Sequence, residues 1–276
     1  MLNFSYTISP TLKHEIGNIE STRNSSLSIL LSPREELLLQ WEAAVERVFS
    51  IQDSKGHRLK HTEITDLFLP QIKKTKVKNE MLMLDYKRLH DKLFYTFSLN
   101  SAPLTGNIVK TILADLGLSI RNLDIEELKR ILSFIQVRPE HPVVQAGLAY
   151  VLFSIAIPQI YPYTLLPLLI AEILLYKYGF DMRRMLVLES YFIAENHNFP
   201  SFIESAKETK NLSKVLEYFT AVIAIEAIKT LKTIQKKEFK TNKGYDQFFK
   251  LKERQKEIMS YVSRPGVRIT NKEVQK

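Results

Sequence analysis

The chain has 276 residues, enough for one large domain or two modest ones, and its 45% hydrophobic and 25% charged residues exclude a disordered or low-complexity chain. It has no cysteine, which excludes disulfides, thiolate metal sites and cysteine nucleophiles. The net charge of +9 is confined to one end: Lys229 to Lys276 carries fourteen Lys/Arg against five Asp/Glu, whereas residues 1–228 carry twenty-five of each sign. A basic patch so placed predicts an acidic partner, DNA first, for the last segment and nothing similar for the body.

Met1 to Pro10 lack a basic stretch followed by an apolar one, so no signal peptide is expected and a cytoplasmic location follows. Helical signals then dominate. Ser32 and Pro33 form an N-cap and first-turn pair before Glu35 to Val48, where Leu38, Trp41, Val45 and Val48 recur at helical spacing. Helices are predicted over Glu63 to Leu69 and Met81 to Phe97, with a polar loop at Lys73 to Lys78. Thr105 caps a helix that stops at Gly117, and Asp124 caps Ile125 to Ile135, with Glu126 and Glu127 where the helix dipole favours acid. Two apolar helices follow, His141 to Ala156 and Pro162 to Tyr178, the second stopped by Gly179. Polar segments Glu195 to Lys207 and Leu212 to Lys237 complete the body, and Gly244 opens a basic tail. Strand-like alternation is nearly absent, so an all-α fold is predicted.

No Asp, Glu, Lys or Arg occurs between Glu140 and Glu172. That span could cross a bilayer. Pro142, Pro158, Pro162 and Pro167 interrupt it, and helices buried inside an all-α domain would read the same way, so no membrane association is expected.

Residue chemistry alone gives no active site. His57 and His61 share a helical spacing but lack a third ligand, and Arg58 and Lys60 beside them suit a surface. His141 precedes Pro142 at a helix start, and His14, His90 and His197 sit among polar residues without a triad partner. The eight glycines are all more than three residues apart, so no phosphate-cradling loop is present.

The order of segments nevertheless resembles the Fic (Fido-domain) family over nearly the whole chain. HPVVQAGLAYVLFSIAIPQIYPYTLLPLLIAEILLYKYG, from His141 to Gly179, is similar to that family's His-Pro helix, core motif and following Leu-rich helix. ESYFIAENHNFPSFIESAKETKNLSKVLEYFTAVI is similar to its closing helices, and TISPTLKHEIGNIE with LLLQWEAAVERVFSIQDSKG to the N-terminal helices of longer members. The resemblance implies an N-terminal helical region over 1–100, a Fic core over 101–243 and a partial winged helix-turn-helix over 244–276.

In the family, a His-Pro-Phe-x-Asp/Glu-Gly-Asn-Gly-Arg motif transfers AMP from ATP to a protein hydroxyl. Its His is the general base, its acid holds Mg²⁺, its Gly-Asn-Gly backbone forms an anion nest and its Arg meets phosphate. Laid on this chain, the motif falls on Ile157 to Leu165. Ile157 takes the base position, Tyr161 the metal position, Pro162, Tyr163 and Thr164 the nest, and Leu165 the arginine position, with only Pro158 retained. None of the replacements can do the corresponding chemistry. The β-hairpin flap that precedes the motif has no room between Leu116 and Asp124. The positions of the inhibitory Ser/Thr-x-x-x-Glu-Gly/Asn motif fall on Val48, Gln52 and Asp53.

The resemblance thus implies a degenerate pseudoenzyme with no cofactor. The alternative is an active Fic nucleotidyltransferase using ATP and Mg²⁺. The tail LKERQKEIMSYVSRPGVRITNKEVQK resembles the opening of a winged helix-turn-helix, with Lys250, Lys252, Arg254, Lys256, Arg264, Arg268 and Lys272 as DNA-binding candidates. An unidentified protein partner and a homodimer are further expectations.

Overall fold

Ser9 starts the first helix, α1 (Pro10–Ser28), by accepting the N–H of Leu12 on its hydroxyl at 3.2 Å, with Pro10 in the first turn. The structure, a computed structural model, describes residues 4–52, 58–69, 77–98, 103–121, 123–137, 140–193 and 199–237. Helix α2 (Pro33–Ser50) opens with a reciprocal capping box: Ser32 Oγ accepts from the Glu35 N–H at 3.2 Å, and the Glu35 carboxylate accepts from the Ser32 N–H at 3.3 Å. Helices α3 (His61–Phe68), α4 (Lys78–Phe97), α5 (Gly106–Asp115) and α6 (Ile125–Val137) follow. Asp124 Oδ1 accepts from the Glu127 N–H at 3.0 Å, the cap expected for α6.

The centre of the fold is the pair α7 (Pro142–Ala156) and α8 (Leu165–Lys177). Every residue from Val143 to Ser154 and from Leu165 to Tyr176 is buried. Burial of each large aliphatic side chain contributes about 1.5–3 kcal/mol, so packing inside the protein accounts for the uncharged span. Among the described residues no helix is long and apolar enough to cross a membrane.

A short helix α9 (Glu189–Phe192) leads to α10 (Phe199–Thr209) and the long α11 (Ser213–Lys237). α11 packs on α1, α7 and α10, while α4 and α5 pack on α8. Gly147 makes the α7–α11 crossing close, because a Cβ there would stand 3.0 Å from Leu216 Cδ2 and from Phe219 Cδ1. Ser5 and Asn211 form a single parallel bridge that fastens the N-terminus beside the start of α11. These helices lie in one compact unit, Met1–Lys237. A second unit, Glu238–Lys276, lies outside the described residues, as do all seven DNA-binding candidates between Lys250 and Lys272 and the winged-helix segment.

The sequence reading starts α8 at Pro162, but the helix begins at Leu165. Hydrogen bonds from the Tyr163 N–H to the Ile160 carbonyl (2.8 Å) and from the Leu165 N–H to the Pro162 carbonyl (3.1 Å) make 160–165 consecutive tight turns instead. α8 ends as expected: Gly179 takes φ +70°, and the Phe180 N–H returns to the Leu175 carbonyl at 2.8 Å.

Candidate functional site

The corner between α7 and α8 holds all the motif-aligned residues from Ile157 to Leu165. Ile157 caps α7 in an extended conformation, its N–H bonded to the Phe153 carbonyl at 3.0 Å, and its side chain is buried. Leu165 is fully buried in the first turn of α8. Neither side chain can carry a proton or a charge. Tyr161 and Pro162, joined by a cis peptide bond, and Tyr163 are half-buried, and the Tyr163 hydroxyl donates to the Ser119 carbonyl at 2.8 Å. Pro158 is also half-buried, and Thr164 is the N-cap of α8 but makes no side-chain capping bond.

An anion nest needs free backbone N–H groups at a helix start. Here the N–H groups of Tyr163, Leu165 and Leu166 are already bonded to the carbonyls of Ile160, Pro162 and Tyr163, and Pro162 has none. Side chains and backbone at this corner therefore agree: it presents no base, no acid and few donors for phosphate.

The positions aligned with the inhibitory motif are structural. Val48 is buried on α2, and Gln52 is buried just after it. Gln52 accepts the Leu59 N–H on Oε1 at 2.6 Å and donates from Nε2 to the Leu59 carbonyl at 3.1 Å, which pins the start of the next segment. Asp53 lies outside the described residues. Of the histidines, His61 is exposed beside Glu46 at 2.8 Å, and His57 and His197 lie outside the described residues.

A polar cluster that the sequence reading missed lies elsewhere. His90, read there as a residue among polar neighbours, is instead buried with Arg47, Tyr86, Glu172, Tyr176 and Glu189. α2 contributes Arg47, α4 contributes Tyr86 and His90, α8 contributes Glu172 and Tyr176, and α9 contributes Glu189. The Tyr86 hydroxyl donates to Glu189 Oε1 at 2.8 Å, and Tyr176 shares a hydrogen bond with His90 Nε2. Arg47 donates to the carbonyls of Arg184 (2.8 Å) and Leu186 (2.7 Å) and lies 4.0 Å from Glu189 Oε1.

Electrostatics in this cluster follow from burial. Loss of water pushes the Glu172 carboxyl up to about 7 against the pull of Arg47. Burial, reinforced by the Glu172 charge, pushes Glu189 up to about 7 as well. Burial also drives the His90 imidazole well below its usual value, helped by the nearby positive Arg47, so it is neutral. The available signal was in the sequence: Glu172 is a lone acid inside LLPLLIAEILLYK, and a helix apolar on all sides buries whatever acid it contains.

The turn that supplies Arg47's acceptors is unusual. Met182, Arg183 and Arg184 all take positive φ (46°, 59° and 67°), a left-handed turn costing about 1–2 kcal/mol per residue. Arg47, Gln40 and Asp181 hold it, Gln40 Nε2 donating to the Arg183 carbonyl at 3.2 Å and Asp181 Oδ2 accepting the Arg184 N–H at 2.7 Å.

A groove of about 380 Å³ runs between α2 and α11, with Glu42, Glu46, Glu226, Lys229 and Thr230 on its walls. Its carboxylates disfavour a phosphate, and Lys229 lies 3.2 Å from Glu226.

No protein-family model matches the sequence. No curated protein matches it either. Among solved structures, a Fic family protein from Desulfovibrio desulfuricans G20 superposes with a TM-score of 0.67 over 83% of this chain and 76% of that one, at 12% identity. This chain has the Fic fold. The all-α architecture expected from the sequence is the architecture found, with the Fic-fold helices arranged around α7 and α8 and no extended strand among the described residues. At 12% identity the likeness speaks for the fold and leaves activity to the chemistry of the residues.

Proposed function

We propose that this protein is a catalytically inactive Fic-fold binding or regulatory module that engages DNA through its basic C-terminal segment. The first half is supported by the α7–α8 corner, where the motif resemblance puts Ile157, Tyr161 and Leu165 at the positions of base, metal ligand and phosphate arginine. A nucleotidyl transferase has to neutralise charge developing on phosphate, and the uncharged side chains and committed N–H groups of this corner offer little for that.

The second half rests on charge. Lys229, Lys232 and Lys236 are exposed on one face of α11 at i, i+3 and i+7 spacing, leading into the tail that carries Lys250, Arg254 and Lys256. The test is fluorescence anisotropy with duplex DNA at about 50 and 200 mM salt, where a protein making several phosphate contacts loses orders of magnitude in affinity. The full chain is expected to bind with a steep salt dependence, and glutamate at positions 250, 254 and 256 to flatten it. Binding that survives this charge reversal, or no binding at low salt, would overturn the DNA assignment.

A further inference from the structure

Helices α4, α8 and α9 converge on a buried point and leave two oxygens there without a hydrogen-bond donor, Oε2 of Glu172 and Oε2 of Glu189. The two side chains are 4% and 0% exposed. His90 Nε2 stands 3.6 Å from Glu172 Oε2, beyond hydrogen-bond distance. A buried acceptor with no donor is unfavourable, so a group that met both oxygens would stabilise the fold. Arg47 is turned towards the carbonyls of Arg184 and Leu186 and reaches Glu189 only at 4.0 Å. Two carboxylates therefore share one distant countercharge.

We propose that His90, Glu172 and Glu189 bind one divalent transition-metal ion, Zn²⁺ or Mn²⁺. One donor atom from each residue lies within 4.8 Å of the other two. Three donors bound tetrahedrally at about 2.0–2.2 Å stand about 3.3–3.6 Å apart, so closing the site takes shifts of up to about 1 Å. One imidazole with two carboxylates suits Zn²⁺ or Mn²⁺. Mg²⁺ prefers an all-oxygen shell with several waters, a poor match to a site built on an imidazole. The ion takes His90 Nε2, which now shares a hydrogen bond with the Tyr176 hydroxyl. Tyr86 is a positioning residue: by holding Glu189 Oε1 it leaves Oε2 for the ion.

The full chain, stripped with EDTA, is titrated with ZnCl₂ and with MnCl₂, and bound ion and Tm are followed. Expected are retention of one ion per chain, a rise in Tm, and a loss of affinity of about 10–100-fold in Tyr86→Phe and more in the isosteric Glu172→Gln. Glu46→Gln, at the exposed pair with His61, is the control for surface binding and is expected to leave affinity unchanged. The proposal falls if the wild-type chain retains neither ion, or if retention survives in both Glu172→Gln and Tyr86→Phe. Circular dichroism checks that each variant is folded, and Tyr86→Phe carries the test alone if Glu172→Gln is not.

Discussion

The hydroxyl of Tyr86 on α4 donates to Oε1 of Glu189 on α9 at 2.8 Å, and both side chains are fully buried. This bond fixes the four-residue helix α9, which is too short to be stable alone. Tyr86→Phe keeps the ring and removes the donor, so Glu189 loses its close partner. The expected cost is about 1–3 kcal/mol, read from urea denaturation of the metal-free protein. An unchanged midpoint would mean that α9 is held by its apolar contacts alone.

Arg47 has a larger role. It donates to the carbonyls of Arg184, the last residue of the left-handed turn, and of Leu186 just after it, and lies 4.0 Å from Glu189. Arg47→Met leaves those acceptors without a donor and a buried carboxylate without its countercharge, with an expected loss of about 3–5 kcal/mol. A second change, Glu189→Gln, should recover part of it. A double-mutant cycle measures that coupling, and strict additivity would show that Arg47 acts through the turn alone.

Gly147 allows α7 to approach α11. Gly147→Val places branched carbons where even a Cβ would meet Leu216 and Phe219 at 3.0 Å. The expected destabilisation is about 1–3 kcal/mol. Calorimetry reads it as a lower Tm, and the further substitution Leu216→Ala is expected to relieve part of the effect.

Glu226 gives a pH dependence. Burial raises its carboxyl above the usual range, while Lys229, Tyr191 and the Val187 backbone pull it back. A carboxyl raised in the folded state stabilises below its unfolded pKa, near 4.3, and that contribution is lost as pH rises through the folded value. Relative to Glu226→Gln, the wild-type protein should therefore become less stable as pH increases from about 4 upward. Urea midpoints of the two proteins across pH check the sign, and a difference growing in the opposite direction would refute it.

Caps and stops of the helices were largely legible because they are local. Ser32 with Glu35, Asp124, and Gly179 act within a turn of chain, and the structure uses each as its residue type dictates. α9 was not legible, since four residues show no period and its stability comes from Tyr86, far away in sequence. Nor was the left-handed turn, which contains no glycine and persists because Arg47, Gln40 and Asp181 hold it. His90 was misread because charged residues, Lys87, Arg88, Asp91 and Lys92, surround it in sequence while it is buried against Tyr176 of α8. The motif corner was the opposite case: residue identity alone spoke against phosphate chemistry, but only coordinates could show that the N–H groups of Tyr163, Leu165 and Leu166 are already bonded.

The loss of nucleotidyl transfer from this Fic fold is a proposal with a direct test. Incubation of the full chain with labelled ATP, Mg²⁺ and cell lysate tests it most directly. No labelled protein is expected above that seen with an Ile157→Ala variant. Labelling that is clear in the wild type and lost on substitution at Tyr161 or Thr164 would contradict it.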